Sequence, residues 1–163
     1  MSWQFQLFKG SHTARTRQRG FSMIEIAMVI VLLLVLMCIA YPITQGTLNY
    51  FRLRGAVSSA TWAIQSTRYQ ALMEGYPFQV TFNAANNTYQ IASEPLGATT
   101  FTNVGAAVPL SGDAIALNQT TTVQLNPNGY VSATQGSLTF TISYQGNTET
   151  LTVTNYGNVS VSP

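Results

Sequence analysis

The 163-residue chain is poor in the side chains that usually carry catalysis, because it has one histidine and one cysteine. His12 lies in a basic N-terminal stretch and Cys38 in an apolar run, so neither has a second residue of its kind for a metal site or an intrachain disulfide. Glu94, Asp113 and Glu149 are the only acids after residue 75. No catalytic triad or metal cluster can be assembled from these groups. The sequence therefore predicts a protein that is not an enzyme and holds neither a metal nor a cofactor.

Positive charge is missing from most of the chain. The first twenty residues carry four basic side chains and no acid, whereas the remaining residues carry three arginines against five acids, a net charge of −2. No Lys or Arg follows Arg68. The basic balance of the whole chain thus belongs to its N-terminus, and nucleic acid is disfavoured as a partner of the rest.

A single long apolar run occupies residues 21–41, interrupted only by Ser22 and Glu25. As a helix it would be about 31 Å long, roughly the thickness of the hydrocarbon core of a bilayer. Four positive charges precede it and none follows closely until Arg52, which predicts a cytoplasmic N-terminus. The run is therefore predicted to cross the membrane, either as a plain uncleaved anchor or as part of a processed precursor.

Glu25 is a carboxylate inside this run, where a charge costs on the order of 3 kcal/mol at membrane depth and less near the interface. One interpretation is that Glu25 stays hydrated near the membrane surface, or is protonated. The other is that it pairs with a cation. A cut after Gly20 would give Phe21 an α-amino group four residues before the acid, and this amine could pair with Glu25 of the same chain or of a neighbour.

The region after the apolar run is predicted to continue as a helix. Pro42 lacks an amide donor, so a kink or local melting is expected there. Residues 43–75 have the pattern of an amphipathic helix that stops at Gly75. Its apolar stripe is expected to face a core, and consists of Leu53, Val57, Ala60, Ile64, Ala71 and Leu72.

Residues 76–163 have the alternating pattern of strands separated by turns. A hairpin is predicted within residues 77–94, and two strong alternating runs flank Gln145-Gly146-Asn147. Strands are also predicted on both sides of the Asn126–Gly129 turn and after Tyr156-Gly157-Asn158, with short strands near residues 105–109 and 113–118. The sequence therefore predicts an α+β fold.

The stretch "RGFSMIE", followed by about twenty apolar residues, resembles the class III signal of type IV prepilins. This resemblance implies cleavage between Gly20 and Phe21 by a prepilin peptidase, N-methylation of Phe21, and a docking role for Glu25 in assembly. It also implies that residues 1–20 are a leader that is removed and that residues 21–42 form a transmembrane and filament-core helix.

The remaining chain is similar to the GspH/FimT family of minor pseudopilins. The similarity rests on the Leu125–Gly129 turn and on the ending Gly157-Asn158-Val159, where Asn158 stands at a position that is often Arg in the family. It implies a pilin-like fold, in which one long N-terminal helix packs on an antiparallel β-sheet domain.

The resemblance implies a structural and assembly subunit of a type II secretion pseudopilus or a type IV pilus. Its expected partners are the peptidase, other pilins or pseudopilins and inner-membrane lipid, with the β domain in the periplasm. The alternative is a pilin that binds DNA during uptake. The lack of basic residues near the C-terminus disfavours that alternative.

Overall fold

The structure, a computed structural model, describes residues 20–110 and 115–163. The chain divides into two units between Ala40 and Tyr41. Its described part contains one α-helix, α1, and ten β-strands. This composition confirms the predicted α+β class.

Helix α1 runs from Met23 to Glu74. It begins after Ser22, whose carbonyl accepts hydrogen bonds from the amides of Glu25 at 3.0 Å and Ile26 at 3.2 Å. It ends where Gly75 takes a left-handed φ of +77° and donates its amide to the carbonyl of Ala71 at 3.2 Å. This is the helix stop that the sequence predicts at Gly75, because glycine adopts the left-handed conformation without a steric penalty.

Pro42 lies inside α1, and the residues around it remain helical through Gly46. The local melting predicted at Pro42 therefore does not occur. Because proline has no N–H, the carbonyl of Cys38 cannot receive its usual helical hydrogen bond from residue 42. A kink of the helix axis at Pro42 stays a prediction.

The N-terminal part of α1 exposes its apolar side chains. The helix contains a segment long and apolar enough to cross a membrane, and none of that segment is buried within the protein. All residues from 20 to 48 are exposed. An apolar helix of a soluble core would be buried, so this surface requires lipid or other apolar helices around it.

The unit after residue 40 contains two antiparallel sheets. In the larger sheet the order is β3-β2-β1-β6-β7, with β4 also paired to β2, and in the smaller sheet it is β10-β9-β8-β5. The strands are β1 Phe78–Asn83, β2 Thr88–Ser93, β3 Thr102–Asn103, β4 Val108–Pro109, β5 Ala116–Leu117, β6 Thr121–Leu125, β7 Val131–Gln135, β8 Thr139–Tyr144, β9 Asn147–Val153 and β10 Val159–Ser162.

The longer strands confirm the predicted hairpins. Strands β1 and β2 pair from Phe78 opposite Ser93 to Asn83 opposite Thr88, and β8 pairs with β9 across Gln145-Gly146. The short strands predicted near 105–109 and 113–118 shrink to the two-residue strands β4 and β5, and residues 111–114 lie outside the described chain. The sequence did not predict β3, which pairs with the end of β2.

The core lies between the C-terminal part of α1 and the two sheets. The buried residues of α1 are Leu53, Ala56, Val57, Ala60, Ala63, Ile64, Thr67 and Ala71. Phe82 on β1 and Phe140 on β8 meet there, with ring centroids 5.0 Å apart. Leu72 was predicted to face the core, but it is 46% exposed. It follows Ala71 directly, and adjacent helical residues point about 100° apart, so both cannot lie on one narrow stripe.

Candidate processing and assembly site

The Gly20–Phe21 peptide bond lies outside the helix. Gly20, Phe21 and Ser22 precede the first helical residue, Met23, and all of them are exposed. No described atom lies within 4 Å of the position that a Cβ on Gly20 would occupy. This backbone is therefore open to an enzyme that must reach both sides of the bond.

Phe21 and Glu25 share one face of the chain. Both line an apolar depression of about 280 Å³, together with Ile26, Val29 and Ile30. The spacing of four residues brings side chains to the same face near a helix start. No Lys, Arg or His occurs between residues 20 and 51. Among residues 20–51, the only cation that could arise beside Glu25 is therefore a new amine at Phe21.

The three arginines of the described chain are all held against their own domain. Arg52 donates a hydrogen bond from Nη1 to the hydroxyl of Tyr144 at 2.6 Å. Nε of Arg54 lies 3.3 Å from Oε1 of Glu149. Nε of Arg68 is buried. Three arginines, two of them with polar partners in their own domain, are few for a surface that would follow a phosphate backbone.

Two family models match the chain. Residues 56–157 match the type II transport protein GspH, and residues 15–41 match the prokaryotic N-terminal methylation motif. The first match alone covers more than half of the sequence. The chain belongs to the GspH family. It is a prepilin-type pseudopilin, and the methylation motif contains Gly20, Phe21 and Glu25. No curated protein and no solved structure matches it.

Membership of the GspH family supports a general role for the chain. The chain is a minor pseudopilin or pilin of a type II secretion system or a type IV pilus, and subunits of this kind are structural. The methylation motif implies processing by a prepilin peptidase and assembly with other pilins or pseudopilins. The exposed apolar helix fits an anchor in the inner membrane. Within the described residues no group of three or more His, Cys, Asp or Glu side chains could hold a metal ion.

The two glycine turns quoted for the GspH resemblance meet at one arginine. A Cβ on Gly157 would lie 2.5 Å from Cδ and 2.6 Å from Nε of Arg68, and a Cβ on Gly129 would lie 3.9 Å from its Nη2. The turns also bind each other, because the amide of Val131 donates to the carbonyl of Asn155 at 2.8 Å. Position 157 therefore requires glycine for two reasons. Arg68 approaches it closely, and the backbone of residue 157 has a φ of +76°.

Sequence reasoning missed two residues of this family member. Arg68 was not singled out, although it is the last basic residue of the chain. The sequence marks Glu149 only as one of few acids. It alternates with polar residues at the same spacing as Leu151 and Val153, so all three lie on one side of the strand. This spacing could have identified Glu149, because it places a carboxylate on the side of the strand that faces the core.

Proposed function

We propose that the chain is made as a precursor, cut between Gly20 and Phe21 and methylated on Phe21. Residues 1–20 leave as the leader, and residues 21–42 anchor the product in the inner membrane before packing in a filament core. Residues 43–75 continue the helix, and residues 76–163 form the periplasmic domain. The subunit then takes its place in a pseudopilus or pilus.

One observation carries this proposal. The exposed apolar part of α1 has a single charged side chain, Glu25, and that side chain shares a depression with Phe21. Cleavage creates an amine at a residue that lines the same depression as this carboxylate. Before cleavage, no described group within the same unit offers Glu25 a positive charge.

The proposed role of Glu25 is to align one subunit with its neighbour. Inside a bundle of apolar helices an uncompensated carboxylate is costly, and a cation from the next subunit removes that cost. The pair contributes more to register than to net affinity, since both charges must leave water. A subunit one turn out of register would leave both charges unpaired.

We expect Glu25→Ala to be processed normally and to enter filaments at least roughly tenfold less than the wild type, the effect of about 1.4 kcal/mol. The measurement is the fraction of processed subunit that co-purifies with sheared filaments. Glu74→Ala is the matched control, because it removes the same charge from an exposed position at the other end of α1. Wild-type incorporation of Glu25→Ala would exclude the docking role.

DNA uptake is not the proposed function. Nonspecific binding of DNA depends on several basic side chains that release counterions from phosphates. The residues after Gly20 contain three arginines and no lysine. Arg52 and Arg54 have polar partners within their own domain, and the Nε of Arg68 is buried. No observation on the described chain favours a nucleic-acid partner.

A further inference from the structure

Glu149 is a carboxylate at a core-facing position of β9. Its side chain is only 7% exposed, and its neighbours in phase, Leu151 and Val153, are apolar and buried. One carboxylate oxygen, Oε1, is 3.3 Å from Nε of Arg54. The other oxygen, Oε2, is buried and has no hydrogen-bond partner among the described residues. A buried oxygen of this kind is costly unless a donor reaches it.

A cleft opens beside this carboxylate, between α1 and the β9–β10 edge. It has a volume of about 360 Å³, within the range of small-ligand sites, and Ser58, Trp62, Gln65 and Val161 line it with the ion pair. An adjoining depression of about 250 Å³ is lined by Tyr50 and Pro163 beside the same ion pair. Trp62, which lines the same cleft as the carboxylate, is 62% exposed.

We propose that this cleft binds a basic side chain of a different subunit in the same assembly. The carboxylate of Glu149 turns so that Oε2 faces the cleft, where the cationic group of the partner donates a hydrogen bond to it and packs against the ring of Trp62. A charged donor is favoured over a neutral one because hydrogen bonds between ionised groups are about twice as strong as neutral ones. The indole ring is also the aromatic side chain that best attracts a cation. The inference rests on the proposed function, since it names the partner chemistry of an assembled subunit.

A second copy of this chain is a poor occupant for the cleft. The residues after Gly20 contain no lysine. Arg52 is hydrogen-bonded to Tyr144, Arg54 is paired with Glu149, and the Nε of Arg68 is buried. A second copy therefore offers only three basic side chains among its described residues, and two of them already have a polar partner. A pseudopilin or pilin of another sequence, with an exposed Arg or Lys, fits the site.

The binding chemistry can be tested on the membrane-extracted protein in detergent micelles. The signal is the NMR peak of the Trp62 indole N–H, identified by its loss in Trp62→Phe. N-acetylargininamide is the probe, and N-acetylcitrullinamide is its neutral control of nearly the same shape. We expect a saturable shift of the peak with the arginine probe, and at least roughly tenfold weaker binding of the citrulline probe. Equal shifts with both probes would overturn the proposal.

Two variants locate the binding within the cleft. Glu149→Gln keeps the shape of the side chain and removes its charge, whereas Glu94→Gln makes the same change at the residue that follows β2. We expect at least roughly tenfold weaker binding of the arginine probe only in Glu149→Gln. Ser58→Phe fills the cleft from its exposed rim and is expected to block the probe without changing the core. Wild-type binding by Ser58→Phe would overturn the location.

Assembly separates this inference from the proposed function. We expect Glu149→Gln to be processed normally but to enter filaments at least roughly tenfold less than Glu94→Gln. Normal processing with normal incorporation would overturn the cleft proposal and leave the role of Glu25 intact. If the wild-type chain is not processed at all, both the cleft proposal and the proposed function are overturned.

Discussion

Replacing Phe140 with alanine is expected to lower the free energy of unfolding of the β domain by about 3–5 kcal/mol. The Phe140 side chain is fully buried, and its ring lies 5.0 Å from that of Phe82 with the planes tilted by 33°. Phe140 belongs to the smaller sheet and Phe82 to the larger one. The alanine would leave a cavity at the place where the two sheets meet.

This loss can be measured by urea unfolding of residues 41–163, followed by far-ultraviolet circular dichroism. That segment contains every buried core residue of the described chain. Leu96→Ala is the control, because Leu96 is 87% exposed and its truncation should change stability by less than about 0.5 kcal/mol. A loss below about 1 kcal/mol for Phe140→Ala would contradict the packing described here.

Replacing Gly157 with alanine is expected to cost about 2–4 kcal/mol of stability, the second largest effect. Part of the cost, about 1 kcal/mol, arises because alanine is strained at a φ of +76°. The rest, about 1–3 kcal/mol, arises because the new Cβ would overlap Cδ and Nε of Arg68, so this side chain, whose Nε is buried, must move.

Two comparisons separate these causes. Gly146 has a φ of +83° and open space around it, so Gly146→Ala should cost only the backbone strain. In an Arg68→Ala background the overlap disappears, and Gly157→Ala should then cost no more than Gly146→Ala. Urea unfolding of the same segment measures the parent, the three single variants and the double variant. Equal losses for the two glycine variants in the parent chain would show that Arg68 does not constrain the turn.

Much of the fold follows from local sequence patterns. The apolar run and the stripe from Leu53 to Ala71 predict α1, and alternation predicts β1, β2, β8 and β9. The two-residue strand β3 carries no periodicity, and β4 and β5 are shorter than their predicted spans, because pairing with other strands defines them. Leu72 was misplaced for a related reason, since an apolar residue at the edge of a stripe is assigned by packing and not by spacing.

The residues of the candidate site could also be predicted only in part from the sequence. Gly20, Phe21 and Glu25 lie within six consecutive residues, so a local pattern reveals them. Arg68 approaches Gly157, and Arg54 reaches Glu149, only after the helix and the last strands come together. Such contacts depend on tertiary structure, and a single sequence contains no spacing rule that predicts them.

The central claim is that the chain is a prepilin whose leader ends at Gly20. The most direct test is the intact mass of the protein extracted from membranes of cells with and without a prepilin peptidase. With the peptidase, we predict a mass lower than that of the full chain by residues 1–20 and higher by one methyl group on Phe21. Without it, the full-length mass should remain. A full-length mass in cells that contain the active peptidase would contradict the account.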